Sequence, residues 1–263
     1  MEEYRSSDWV FLHFIGSKNK HPLNDYPLIL YVRTSKDNEY VLSFNHDEAA
    51  ELTLDCLLHL DTDVPKYVAD IKAVCHFANF SNVIDLQQAE FQKQGNLVDN
   101  HIFLTTSHRY FHSKGMNNFV IPLMKHLEYC QDLFTNYKEN IGDEYNEFYS
   151  DANKVFADVE RVGLRVNPLR VPAGQSDNVS KDHLMFTNYN VLTPTGRPSN
   201  TYDGLNFAAM NKSDGSRKMI ESRYGELIEF DFDAYHVRLV GKLIGYNFGD
   251  ESVHEHFSKL YNV

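Results

Sequence analysis

The chain has 263 residues, 42% of them hydrophobic, and a formal net charge of -12 at pH 7. That is enough apolar material for a sizeable core, built as two domains or as one domain with a lobe, and the acidic balance argues against a nonspecific polyanion binder, which needs clustered Lys and Arg. No apolar run approaches the roughly 18 residues of a membrane span, and Met1-Glu2-Glu3-Tyr4-Arg5 is neither a secretory signal nor a basic targeting peptide, so a soluble, cytoplasmic protein with no membrane partner is expected.

In chain order, Trp9 to Phe14, Leu28 to Arg33 and Tyr40 to Phe44 read as strands, Asp47 to Leu60 as a helix, and Ile71 to His76 as a further strand. Strands followed by a helix and another short strand suggest an α/β layer over residues 1–118. Pro122 opens a helix with apolar residues at Leu123, Leu127, Cys130 and Phe134. A second helix is expected from Asn146 to Val162, with Phe148, Ala152, Val155, Phe156 and Val159 on one apolar face and Gly163 as its stop. The acidic residues Glu139, Asp143, Glu144, Glu147 and Asp151 read as a solvated helical face, and Pro168 to Asp182, rich in Pro, Gly, Ser and Asn, as a linker. Cys56, Cys75 and Cys130 are odd in number and widely spaced, which makes free buried thiols the expectation. Neither Cys75-His76 with His101 nor His254-x-His256 has finger-like spacing, so structural zinc is not expected.

The most informative stretch runs from Leu227 to Arg238. Leu227-Ile228-Glu229-Phe230, set between the turn-like Arg223-Tyr224-Gly225 and an acidic tip, reads as a buried strand that ends at Asp231. Residues two apart on an extended chain share a face, so Asp231 and Asp233 could reach one cation with the Phe232 carbonyl between them. Oxygen donors of this kind suit Mg²⁺, although acidic residues at a strand end can equally serve only to solvate a turn. Upstream lie Thr193-Pro194-Thr195-Gly196-Arg197-Pro198-Ser199-Asn200, then Leu205-Asn206-Phe207-Ala208-Ala209-Met210-Asn211-Lys212, then Arg217-Lys218-Met219-Ile220. Residues 195–224 carry five basic side chains against three acidic ones, a local +2 in a chain whose remainder is -14.

This order resembles the palm of family A DNA polymerases, in which a T-x-T-G-R-x-S segment, an Asn/Gln-containing loop, an arginine before an apolar pair and a D-Y-S-x-x-E-x-R motif follow one another. The resemblance covers about residues 186–263. It implies that Asp231 is the first metal-binding aspartate, that Phe232 lends its backbone carbonyl to the nucleotide-side Mg²⁺, and that His236 stands at the sugar-gate position where the family has glutamate. It further implies that Arg197 touches the primer-template backbone, that Asn206 reads the minor groove, that Arg217 and Lys218 are a DNA-binding basic pair, and that Arg238 is a structural ion-pair partner. Without the resemblance, Arg197 could serve only its own turn through Ser199 and Asn200, and Arg217 with Lys218 would be a surface cluster. Asp233 replaces a small polar residue of the motif and is expected to be a solvated carboxylate.

Val159-Glu160-Arg161-Val162-Gly163-Leu164-Arg165-Val166-Asn167 is similar to the family's segment between the exonuclease-like domain and the polymerase lobe, but only about 25 residues separate it from T-x-T-G-R, too few for a full thumb. The resemblance thus implies an α/β (α+β) chain: an exonuclease-like domain over 1–118, a helical connector or reduced thumb over 119–185 and a partial palm over 186–263. In the first domain Leu12 and Phe14 stand where a D-x-E would fall, and Ser81 where the H-N-x-x-F-D pattern ends, so that domain is expected to be inactive. Gly249 to Phe257 resembles the D-x-H stretch before the fingers; the fingers helix R-x-x-x-K-x-x-x-F/Y and the H-D-E loop are not within the 263 residues. Three readings follow. The chain is one half of a split, phage-encoded polymerase that binds primer-template DNA and dNTP and needs a second polymerase polypeptide; or it is a catalytically inert DNA- or protein-binding replication accessory; or residues 1–118 form an α/β binding module with a helical tail.

Overall fold

The computed structural model describes residues 2–16, 26–44, 52–94, 131, 147–200, 206–211 and 213–261. Its first compact unit, residues 1–221, is organised by a five-stranded sheet. Three apolar runs form β1 (Val10–Gly16), β2 (Pro27–Thr34) and β3 (Glu39–Ser43), close to the predicted bounds, and they pair antiparallel in sequence order. The two short strands β4 (Lys66–Val68) and β5 (Val83–Asp85) extend the sheet on the other side of β1 in parallel, which gives the order β3-β2-β1-β4-β5. β1 and β2 are buried along almost their whole length, as expected of strands covered on both faces. The architecture is mixed α/β.

Helices flank this sheet: α1 (Glu2–Arg5), α2 (Ile71–Cys75), α3 (Leu86–Gln94) and α4 (Glu147–Val162). The predicted strand at Ile71 to His76 is α2 instead. Asp70 caps it, its carboxylate accepting from the amides of Lys72 and Ala73, while Asp85 accepts from the amide of Ile71. The strand expected there lies just upstream, as β4. The predicted helix from Asp47 is a 3-10 helix at Leu54–Leu60, and residues 45–51 lie outside the described residues, as do all of the predicted helix at Pro122 but Gln131, which is helical, and most of the acidic run that ends at Asp151.

α4 ends as expected at Gly163, whose φ of +63° suits glycine and whose hydrogen side faces Phe186, where a Cβ would lie 2.7 Å from the ring. The buried face of the helix, however, is not the expected one. Ser150, Asn153, Ala157 and Glu160 are buried, whereas Phe148, Val155, Val159 and Val162 are exposed. Polar residues turn inward because partners await them. The Ser150 hydroxyl donates to Gln88, and Glu160 accepts from the ammonium of Lys72 at 2.6 Å, the ring of His76 at 3.1 Å and the amide of Tyr189 at 2.6 Å.

Beyond α4 the chain folds as short pieces. β6 (Leu164–Arg165) pairs with β7 (Leu184–Met185), and β8 (Tyr189–Asn190) with β9 (Ser199–Asn200). The expected linker contains two 3-10 turns, Pro168–Arg170 and Ala173–Asn178. A small core of Val166, Met185, Met210 and Met219 gathers the segments on either side of it. In the sheet layer Leu12 and Phe14 sit in the apolar core with Val68, Ile71 and Val74, and Ser81 donates to the carboxylate of Asp61. Both free thiols among the described residues lie here, Cys56 partly buried and Cys75 buried, with burial pushing the Cys75 thiol up to about 11; Cys130 lies outside them. No helix among the described residues is long and apolar enough to cross a membrane.

Asp85 joins α2, β5 and α3, its two oxygens taking the amides of Ile71 and Gln88. Complete burial, and then the charge of Asp70, push its carboxyl up to about 7. The folded chain therefore holds a proton that the unfolded chain, at the ordinary carboxylate value of about 3.9, releases earlier. The stabilising contribution is full below the unfolded value and is lost as pH rises through the folded one. Asp85→Asn keeps an acceptor oxygen but cannot ionise, so urea titrations should show a flatter fall in stability between about pH 4 and pH 7; equal slopes in the two proteins would refute the assignment.

Candidate functional site

The second compact unit, residues 222–263, carries Asp231, Phe232, His236 and Arg238. Leu227 to Phe230 is not the buried strand expected from its composition. The segment belongs to no strand, and Leu227, Ile228, Phe230 and Phe232 are 67%, 75%, 91% and 79% exposed. A strand is stable only when a neighbour takes its backbone groups, and none of the described residues does so here. Asp231 thus ends an unpaired segment, four residues before α5 (Tyr235–Leu243). Its carboxylate is exposed and has no hydrogen-bond or ion-pair partner among the described residues, so it is open to a ligand.

Asp233 is already committed. Its carboxylate accepts from the Arg238 guanidinium at 2.7 and 3.3 Å and from the Val253 amide at 3.1 Å, which caps the start of α6 (Val253–Tyr261). Arg238, in the same fork, donates to the carbonyls of Gly249 at 3.2 Å and Glu251 at 2.6 Å. This pair knots the turn before α5 to the turn before α6. Arg238, then the Val253 amide, hold the Asp233 carboxyl below the usual carboxylate range. The expectation of a merely solvated carboxylate is corrected, for a reason no local pattern carries: its cap target lies 20 residues downstream.

Between Asp233 and α5, Ala234 takes the left-handed conformation, φ +44° and ψ +47°, which is uncommon for a residue with a Cβ. His236 follows in the first turn of α5, exposed, its ring edge-on to Tyr235 at 5.6 Å. Phe232 packs its ring on Tyr235 at 5.5 Å. Gly241 lets the 246–248 turn approach α5, since a Cβ there would lie 2.5 Å from the Phe248 ring. A chain of polar contacts, Tyr246 hydroxyl to His256 at 2.7 Å and His256 to Glu251 at 2.9 Å, fixes α6 on that turn.

The other predicted residues belong to the first unit. Arg197 sits in the turn after Gly196 (φ +69°), its backbone held by the hydroxyl of Thr193 on its carbonyl and by Thr195 on its amide. Its side chain is exposed, and both of these bonds are to its backbone. Asn206 caps the 3-10 turn Phe207–Ala209, its side-chain oxygen accepting from the Ala209 amide at 3.0 Å. That turn packs beside β9 and ends at Met210, whose carbonyl accepts two bonds from Arg217, at 3.1 and 3.0 Å. Lys218 is exposed on the next turn, Ser216–Met219. The structure therefore joins Asn206, Arg217 and Lys218 along one strip of the first unit.

Asp231 and the Phe232 carbonyl are donors of the type Mg²⁺ prefers. Among the described residues, however, no three His, Cys, Asp or Glu side chains gather into a metal cluster, and with Asp233 engaged Asp231 is a lone carboxylate.

No family model and no curated protein matches the chain. Among solved structures the fold is similar to the POL domain of Pol1 from M. smegmatis, in complex with DNA primer-template and dNTP, with a TM-score of 0.54 and 11% identity over 83% of this chain. The match spans 55% of that chain, little more than half its length. At this identity the likeness is one of fold: the chain has a mixed α/β architecture similar to a DNA polymerase domain.

The close approach at Gly241 gives a direct test of how the second unit is built. Gly241→Ala should destabilise it by about 1–3 kcal/mol through overpacking against Phe248 and the Tyr246 carbonyl; an unchanged melting profile would place the 246–248 turn elsewhere.

Proposed function

We propose that the chain is part of a DNA-directed DNA polymerase of the family A type, in which Asp231 takes part in Mg²⁺-dependent nucleotidyl transfer from a dNTP to a primer 3′-hydroxyl. The observation that carries this reading is the combination of a polymerase-like fold with an exposed, unengaged carboxylate four residues ahead of α5, in the D-x-x-x-x-x-x-R setting whose arginine is tied into the same turn. Asp231 and the carbonyl of Phe232 would hold Mg²⁺, which when bound neutralises triphosphate charge and favours the ionised primer hydroxyl. His236, exposed on the first turn of the helix, would face the sugar edge of the nucleotide, limiting a 2′-hydroxyl by bulk rather than by a fixed negative charge. Arg197, Asn206, Arg217 and Lys218 would position primer-template DNA without taking part in chemistry.

A lone carboxylate does not make a two-metal site. The second carboxylate and the triphosphate-binding cations would come from residues outside these 263, on the same polypeptide or, as in a phage-type split enzyme, on a second one. The apolar side chains exposed from Leu227 to Phe232, with Leu243 at the end of α5 and Ile244 just after it, support a need for a covering surface. The first domain would be an inactive exonuclease-like scaffold, since its β1 positions are filled by Leu12 and Phe14. The inert accessory reading has no observation of its own in its favour.

Mixing the chain with a polypeptide bearing R-x-x-x-K-x-x-x-F/Y and H-D-E motifs should give Mg²⁺-dependent primer extension. Asp231→Ala should abolish it while leaving the association intact. Extension that survives Asp231→Ala would remove that residue from the site, and failure of every such mixture to extend a primer would favour the inert accessory.

A further inference from the structure

Arg170 lies in the segment 168–182, rich in Pro, Gly, Ser and Asn, outside every motif of the palm resemblance. In the fold it stands at the end of the 3-10 turn Pro168–Arg170, and that turn is fastened to the strip that carries Arg217 and Lys218. Asn167 caps the turn through the Leu169 amide, its own amide donates to the Met219 carbonyl at 2.7 Å, and its side-chain NH₂ donates to Glu221 at 2.9 Å. The Arg170 guanidinium then donates to the Lys218 carbonyl at 3.0 Å across 48 residues of sequence. Arg170, Arg217 and Lys218 are all exposed, and two turns that the sequence keeps far apart thereby carry three exposed cations on adjoining backbone segments.

We propose that Arg170 is a positioning residue that, with Arg217 and Lys218, grips a backbone phosphate of duplex DNA. The inference rests on the polymerase reading and adds to it a residue that the motifs do not contain. Its chemistry favours phosphate. An arginine has five N–H donors; Arg170 spends one on Lys218 and Arg217 two on Met210, so both retain donors and full charge for phosphate oxygens, while Lys218 has no partner for its ammonium among the described residues. The acids nearby, Asp214 and Glu221, accept from the neutral groups of Ser216 and Asn167 and pair with none of the three cations. In a chain of net charge -12 this is a local reversal of sign. On the polymerase reading Arg170 would belong to the short connector and Arg217 with Lys218 to the partial palm, so the contact would anchor duplex where the two meet.

The test is binding of a fluorescein-labelled primer-template duplex to the full chain, followed by anisotropy over a series of salt concentrations. Arg170→Ala should lower the slope of log K against log salt by about 1 and weaken binding several-fold at moderate salt. Arg170→Gln, which can still donate to the Lys218 carbonyl, should lose the same slope with an unchanged melting temperature, separating charge from turn geometry. Arg170→Lys should retain most of the slope, and Lys93→Ala, at an exposed position on α3, should match the parent. If the parent binds duplex and Arg170→Gln binds it with the parental slope, the inference is overturned while the polymerase reading stands. If the parent binds no duplex at any salt, the inference falls, while the polymerase reading is decided separately by the primer-extension mixture.

Discussion

The buried contact between Lys72 and Glu160 holds the first unit together. Glu160 is 1% exposed and Lys72 8% at the side chain, so each charge has given up water and each must be satisfied inside. Glu160 takes the ammonium of Lys72, the ring of His76 and the amide of Tyr189; Lys72 adds the side chain of Asn188 and the carbonyl of Tyr189. One knot thus joins α2 of the sheet layer, the last turn of α4 and the entry to β8. Because β8 pairs with β9, the same knot orients the Thr193–Asn200 segment that carries Arg197. Removing either charge would strand the other in a site without water, a loss of several kcal/mol.

The second unit is built on different physics. Its hub, Asp233 with Arg238, is partly exposed, and its buried apolar set includes Phe248 and Val253 but not the apolar run that leads to Asp231. Hydrogen bonds and a cap hold the two helices, while large side chains at Leu227, Ile228, Phe230 and Phe232 face solvent. Such a surface costs free energy in water and is relieved only by another apolar face. Asp231 stands within that segment, so the residue proposed for chemistry is carried by a stretch whose large apolar side chains are mostly exposed.

Composition and period revealed much of this, wherever the interactions were local. β1, β2 and β3 follow apolar runs rich in Val, Ile, Phe and Tyr, and α4 with its stop at Gly163 follows a helical period. Ile71 to Cys75 is too short for its period to decide, yet Asp70 is a legible helix cap that outweighs the strand-like composition. The inward face of α4 is not legible in its own period, because Glu160 is drawn in by Lys72, 88 residues away, and no window along the helix contains that information. The same holds for Asp233 and its distant cap, for Arg170 and Lys218, and for the strand that Leu227 to Phe230 does not form. An apolar run says that burial is favoured; it does not say that a neighbour is present to provide it.

The central claim, that Asp231 ends an unfinished part of a polymerase-like site, is tested most directly by hydrogen exchange of the isolated chain. Amides of residues 227–231 should exchange as in an unpaired segment while those of β1 and β2 exchange slowly. Slow exchange at 227–231 in the chain alone would mean that the strand is already paired and the site already closed, which contradicts the account.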